Sequence, residues 1–248
     1  MITVICMDGL GGRPEVTFAS LKKALELEGH KVVLVNVEGI QTDGDREQRV
    51  LNAFYVEKAL GENEQKEDRK IFLLGHSAGG GAVRKAAERL SGDKALSGII
   101  VGSQSMPRFV PFMTRQLFMS MLGQFHNLVL GRPINTTAAQ YKRLIEPMPE
   151  TQKRVAIQER QTIAGREARK LAFYPDSLKD YACPTLYIWG SKDQWISASA
   201  HRKLYLMLKK CNASTTTALE VEDSGHDTLA SKKGGWVIEK IIDWVAKQ

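Results

Sequence analysis

Gly75-His76-Ser77-Ala78-Gly79-Gly80 follows directly on the apolar run Ile71-Phe72-Leu73-Leu74 and leads directly into an alanine-rich segment of helical composition. Strand, sharp turn and helix in that order are the context in which G-x-S-x-G carries chemistry. The chain must reverse within a few residues, and side chains at positions 75 and 79 would collide with neighbouring backbone, so glycine is needed at both. The serine between them is forced into a strained conformation above the strand. The helix that starts behind it aims free N–H groups and its positive dipole end at the hydroxyl, which favours negative charge developing there. Ser77 is therefore the expected nucleophile.

Working outward, β-branched apolar runs at 2–7, 32–37, 70–74, 98–101, 185–189 and 216–221 read as strands. Most are continuously apolar rather than alternating, as strands are when both faces are covered, so a parallel sheet flanked by helices is expected. Segments 16–28, 46–61, 80–90, 198–210 and 235–247 have helical spacing and composition. Strand and helix alternate except across 106–180, which contains no convincing strand and has helical composition. That insertion holds five of the eight methionines and five of the eight phenylalanines, and Pro147-Met148-Pro149 divides it.

A serine hydroxyl needs a base to take its proton. Of the five histidines, His30 lies in a turn, His76 is expected to project away from its neighbour Ser77, His126 falls in the insertion and His201 falls within a helix. His226 stands in Asp223-Ser224-Gly225-His226-Asp227, immediately after the last strand, where a doubly wound sheet presents its functional edge. The base in turn needs an anion to fix its tautomer. Asp193, in Gly190-Ser191-Lys192-Asp193 just past the strand 185–189, meets that need, whereas Asp223 and Asp227 are too close in sequence to reach the far ring nitrogen. Backbone donors for an oxyanion are expected from the N–H of Ala78 and from Leu10 in Asp8-Gly9-Leu10-Gly11-Gly12. A dinucleotide fingerprint in that loop fails on spacing, since its third small residue falls on Pro14.

The order Ser77, Asp193, His226 at successive strand ends resembles the α/β-hydrolase superfamily, and the resemblance covers essentially the whole chain. It implies a serine hydrolase with an acyl-enzyme intermediate and no cofactor. It also implies that 106–180 is a helical cap inserted between the family's strands six and seven, with 1–105 and 181–248 forming the core. The chain departs from the family pattern twice. It begins at the family's third strand, so a mostly parallel doubly wound sheet of about six strands is expected, and Asp8 occupies the place where many members carry histidine.

Composition sets the remaining expectations. With 248 residues, 43% hydrophobic and 25% charged, the chain is neither a disordered tail nor a fibre. Three cysteines without C-x-x-C spacing imply neither a disulfide framework nor a zinc site, and fit a cytoplasmic location. The first residues contain no basic leader, and no apolar run approaches the length of a membrane span. Of the net charge of +7, the insertion supplies 12 Lys and Arg against 6 Asp and Glu. A solvated helix face explains that excess by default, and attraction of an anionic substrate is the functional alternative. Nucleic acid is not expected, because the basic stretch lacks interleaved aromatics.

The expected substrate is a carboxylic ester or thioester of small to medium size, with a largely apolar acyl group lodged against Met106, Phe109, Phe112, Met113 and Phe118. A ligand sensor that keeps the pocket and signals to a protein partner is the alternative. Many turnovers per second distinguish an enzyme from it.

Overall fold

Alternate residues of the first strand, β1 (Ile2–Met7), face opposite ways and are buried on both sides: Ile5 and Met7 belong to one apolar layer, Val4 and Cys6 to another. The same holds for β3 (Lys70–His76), β4 (Leu96–Gly102) and β5 (Thr185–Gly190), whereas β6 (Thr216–Val221) is partly exposed, as an edge strand is. With β2 (Lys31–Leu34), these six strands form one parallel sheet in the order β2-β1-β3-β4-β5-β6. The structure is a computed structural model that describes residues 2–9, 13–38, 40, 43–63, 69–104, 181–193, 196, 198–211 and 215–248.

Helices cover both faces. On one, α3 (Asp43–Asn63), α4 (Ala78–Arg89) and α5 (Ala198–Cys211) pack through Val50, Phe54, Val83, Ala86, Leu204 and Leu208. On the other, α2 (Ala19–Leu27) and α6 (Gly234–Ala246) pack through Leu21, Leu25, Val237, Ile241 and Trp244. The expected α/β architecture of about six strands is thus observed. Residues 105–180, the expected cap and its pocket positions Met106, Phe109, Phe112, Met113 and Phe118 among them, lie outside the described residues, as does Leu10.

Local boundaries shift by one to three residues at several elements, and three of the differences have a visible cause or consequence. The expected helix 16–28 is two helices, α1 (Pro14–Thr17) and α2, because Phe18 departs from helical geometry at φ −103° and ψ 7° to bury its ring. The second strand ends at Leu34, although Val35 still donates its N–H to Cys6 O at 2.9 Å. The third extends two residues further than expected, through Gly75 and His76, because their pairing with Val101 and Gly102 of β4 continues to the edge of the turn.

The chain leaves β1 outward to β2 and returns across it to β3, so the connections after β1 and β3 run to opposite faces of the sheet. A crevice opens at the carboxyl ends of strands at such a reversal. Asp8-Gly9 and Ser77 lie there, and the packing between them is tight. A Cβ at Gly79 would lie 2.2 Å from Met7 O, and one at Gly75 would lie 2.2 Å from Gly79 O. Both contacts are with backbone, which cannot swing aside. Gly79→Ala is accordingly expected to destabilise the fold by about 3 kcal/mol, read from the urea unfolding midpoint. A loss below about 0.5 kcal/mol, the range of indifferent surface changes, would contradict this packing.

Candidate active site

Ser77 has φ 57° and ψ −121°, a positive φ that is costly for a residue with a side chain. Its own N–H donates to Gly102 O at 2.7 Å and its carbonyl accepts from Gly80 N at 3.0 Å, so the strained backbone is held from both sides. Ala78 opens α4, and the first N–H groups of a helix have no acceptor within it. Gly9 packs directly against the serine: a Cβ there would come within 2.6 Å of Ser77 Cβ and 3.1 Å of Ser77 Oγ.

Asp193 follows β5 in a turn closed by its N–H to Gly190 O at 3.2 Å. The turn nestles against the loop after β6, since a Cβ at Gly190 would meet Gly225 O at 2.2 Å and Ser224 O at 2.3 Å. That close approach brings the two loops together, and His226 Nδ1 donates to Asp193 Oδ2 at 2.8 Å. With the Nδ1 proton so committed, the neutral ring carries its lone pair on Nε2, the form a general base requires. Both side chains are buried.

The carboxylate has a further histidine. His201 Nε2 donates to the same Asp193 Oδ2 at 2.9 Å, and its Nδ1 is 2.6 Å from the Tyr187 hydroxyl, which donates to it when the ring is neutral. Ile196 N–H donates to Asp193 Oδ1 at 3.0 Å. Burial works against ionisation of Asp193, but the charge of His226 and the hydrogen bonds from both histidines outweigh it and hold the carboxyl well below the usual carboxylate range. Burial, with a smaller contribution from Asp193, pushes the Tyr187 hydroxyl well above its ordinary value. Position within a helix gave no reason to single out His201. Its register did: it precedes the buried Leu204 and Leu208 of α5 by three and seven residues, and so shares their face.

His76 also makes contacts that its place beside Ser77 did not reveal. Its ring is buried 5.1 Å, centroid to centroid, from that of His226, and turns toward the neighbouring loops. Nδ1 lies 3.2 Å from Asp8 Oδ1, and Nε2 lies 3.2 Å from Asp227 Oδ1 and 3.3 Å from His226 O. Burial is the largest influence on its titration and disfavours the charged ring. The hydrogen bond to Asp8 and the charges of Asp227 and Asp8 together overcome it and push the ring up to about 8. The sequence signal was present in Asp8, within the expected oxyanion loop, and in Asp227, beside His226.

Ser77, Ala78, Asp193 and His226 therefore all lie at the carboxyl edge of the sheet, with Asp193 and His226 in direct contact. Among the described residues, no group of three or more His, Cys, Asp or Glu is arranged to hold a metal ion, and no helix is long and apolar enough to cross a membrane.

A family model described as alpha/beta hydrolase fold matches residues 2–232. No curated protein matches the chain in sequence. Among solved structures, a lipase-esterase related protein from Clostridium acetobutylicum is similar with a TM-score of 0.62 at 18% identity, covering 98% of this chain and 94% of that one. A monoacylglycerol lipase of Paleococcus ferrophilus has a TM-score of 0.56 at 18% identity, covering 99% and 94%. A serine hydrolase involved in carbazole degradation has a TM-score of 0.58 at 11% identity, covering 100% and 92%. At these identities the likeness is one of fold.

Proposed function

The chain belongs to the alpha/beta hydrolase fold family, and on that premise we propose that it is a serine hydrolase of small to medium carboxylic esters or thioesters with largely apolar acyl groups. The observation that supports this most is the 2.8 Å Asp193–His226 hydrogen bond at the same sheet edge as Ser77, whose backbone is held at positive φ. A folding cost of that kind is found most often where chemistry requires it.

Ser77 Oγ attacks the substrate carbonyl carbon while His226 Nε2 accepts the hydroxyl proton. The N–H groups of Ala78 and Leu10 receive the oxyanion. As the tetrahedral intermediate collapses, the bond from carbonyl carbon to the leaving oxygen or sulfur breaks and His226 returns its proton to that atom. Water then attacks the acyl-serine, giving a proton to His226. Release of the acid passes that proton back to Ser77 Oγ. Asp193 holds the ring orientation throughout and stabilises the imidazolium.

The substrate class follows from what the insertion offers. Met106, Phe109, Phe112, Met113 and Phe118 supply soft apolar side chains for the acyl group. Arg166, Arg169 and Lys170 lie on one face of a helical pattern with only Glu167 nearby, and would draw an anionic thioester to the rim. A panel of 4-nitrophenyl esters and acyl thioesters tests both features. kcat/KM should rise beyond acetate by about 1 kcal/mol or less per buried methylene. KM for an anionic thioester should increase with salt while that of a neutral ester stays constant. Preference for acetate with steep loss at butyrate would contradict an apolar acyl pocket, and equal salt dependence for both classes would return the basic residues to a solvated surface.

A further inference from the structure

Both ring nitrogens of His76 face oxygen acceptors. Asp8 Oδ1 lies 3.2 Å from Nδ1, and Asp227 Oδ1 and His226 O lie 3.2 and 3.3 Å from Nε2. A neutral imidazole has one N–H and leaves a lone pair against one of these oxygens. Only the imidazolium donates to both sides. We propose that His76 is a positioning residue, a buried imidazolium that fastens the loop after β1 to the loop after β6 and so fixes Gly9 and His226 relative to Ser77. The inference rests on the serine hydrolase reading and extends it to a group that touches neither substrate nor the reacting atoms.

The connections on each side are short. Asp8 Oδ1 also accepts the Gly9 N–H at 2.7 Å, and its Oδ2 accepts the Thr17 hydroxyl, so the carboxylate held by His76 itself holds the residue packed against Ser77. On the other side the Nε2–H donates to the backbone carbonyl of His226, with the Asp227 carboxylate 3.2 Å away as its ion-pair partner, so it restrains the base through its main chain while Asp193 restrains the ring. Asp8 and Asp227 are themselves buried. A single side chain adjacent to the nucleophile thus joins three strand ends.

The groups facing the ring account for its protonation. Asp8 approaches from the end of β1, Asp227 and His226 from the loop after β6, and Gly102 of β4 brings no charge. Cys6 of β1 lies near enough to feel Asp8, but burial and that charge both hold its thiol up and neutral. With two carboxylates on it, the ring remains charged until pH rises through about 8. Above that, one of the two loop connections loses its donor.

The test reads the ring and the site separately. Imidazole nitrogen shifts of His76 in the 15N-histidine-labelled wild-type chain, assigned through the backbone, should show both nitrogens protonated at pH 7. The rate of fluorophosphonate labelling of Ser77 should fall as pH rises through about 8. Asp227→Asn should move that alkaline decline to lower pH, and His76→Gln should abolish it while lowering kcat by about 10- to 100-fold with little change in KM. A purely structural His76 would lower stability without moving the profile. A neutral ring at pH 7 in the wild-type chain overturns the proposal whatever the variants do. So does an alkaline decline that stays in place in Asp227→Asn or His76→Gln. No adduct on Ser77 of the wild-type chain at any pH contradicts the hydrolase reading itself, an outcome distinct from either.

Discussion

Ser77→Ala is expected to lower kcat for a good ester substrate by about four decades or more, with the circular dichroism spectrum and unfolding midpoint little changed. If Ser77 Oγ forms the covalent bond as proposed, its removal leaves only substrate binding and the proposed backbone donors, which sets the magnitude. Retention of the fold follows from the geometry. Alanine is only an atom smaller at a half-buried position, and the contacts that hold the elbow, Ser77 N–H to Gly102 O and Gly80 N–H to Ser77 O, are main-chain. Turnover within about tenfold of wild type would assign the reaction to another group.

His226→Ala is expected to be nearly as damaging, because an unassisted serine hydroxyl keeps its proton. Asp193→Asn should lose up to about four decades for a different reason. The amide that replaces the carboxylate still offers His226 Nδ1 an oxygen, but it carries no charge to stabilise the imidazolium, and its NH2 group can impose the wrong tautomer. His201 sharpens this expectation: in the wild-type chain two histidine N–H donors converge on Oδ2 while the Ile196 N–H takes Oδ1, so a carboxamide, with one acceptor atom, sets its NH2 against a donor in either orientation. The double variant His226→Ala with Asp193→Asn should cost far less than the two single losses combined, because the acid acts through the base. Steady-state kinetics on the three variants decides it. Additive losses would mean that the two residues serve separate steps, and full activity in Asp193→Asn would direct attention to Asp223 or Glu222.

The outline of the sheet was legible because the strands buried on both faces, such as Ile71–Leu74 and Val4–Met7, are short continuous apolar runs that no helix or surface strand needs. Gly75 and Gly79 were legible for a sharper reason: the strand-to-helix turn leaves no room for a Cβ, and the 2.2 Å clashes that a Cβ would make show how little. Asp193 and His226 were found from their places after strands, which is a topological argument and needs no knowledge of their separation. What the sequence concealed was how the side chains connect. His201 and His76 each sit in an element whose local pattern accounts for them without chemistry, a helix for one and a strand end for the other. The partners of His76 are remote in sequence, Asp8 by 68 residues and His226 by 150, whereas His201 meets an aspartate only 8 residues away. Register within α5 pointed His201 inward, but no local feature says that the group waiting there is the carboxylate that also binds His226. The break at Phe18 was hidden likewise, because helical propensity runs unbroken through a residue whose conformation is set by burying an aromatic ring against α6 and the sheet.

The proposed mechanism turns on covalent acylation of Ser77. Trypsin releases Ile71–Arg84 as a peptide in which Ser77 is the sole serine, so mass spectrometry of the digest after brief exposure of the native chain to a fluorophosphonate locates the adduct directly. A single adduct on that peptide is expected, formed at native pH and lost when the chain is unfolded first. An adduct on any other peptide, or none on this one in chain that is demonstrably folded, would contradict that mechanism.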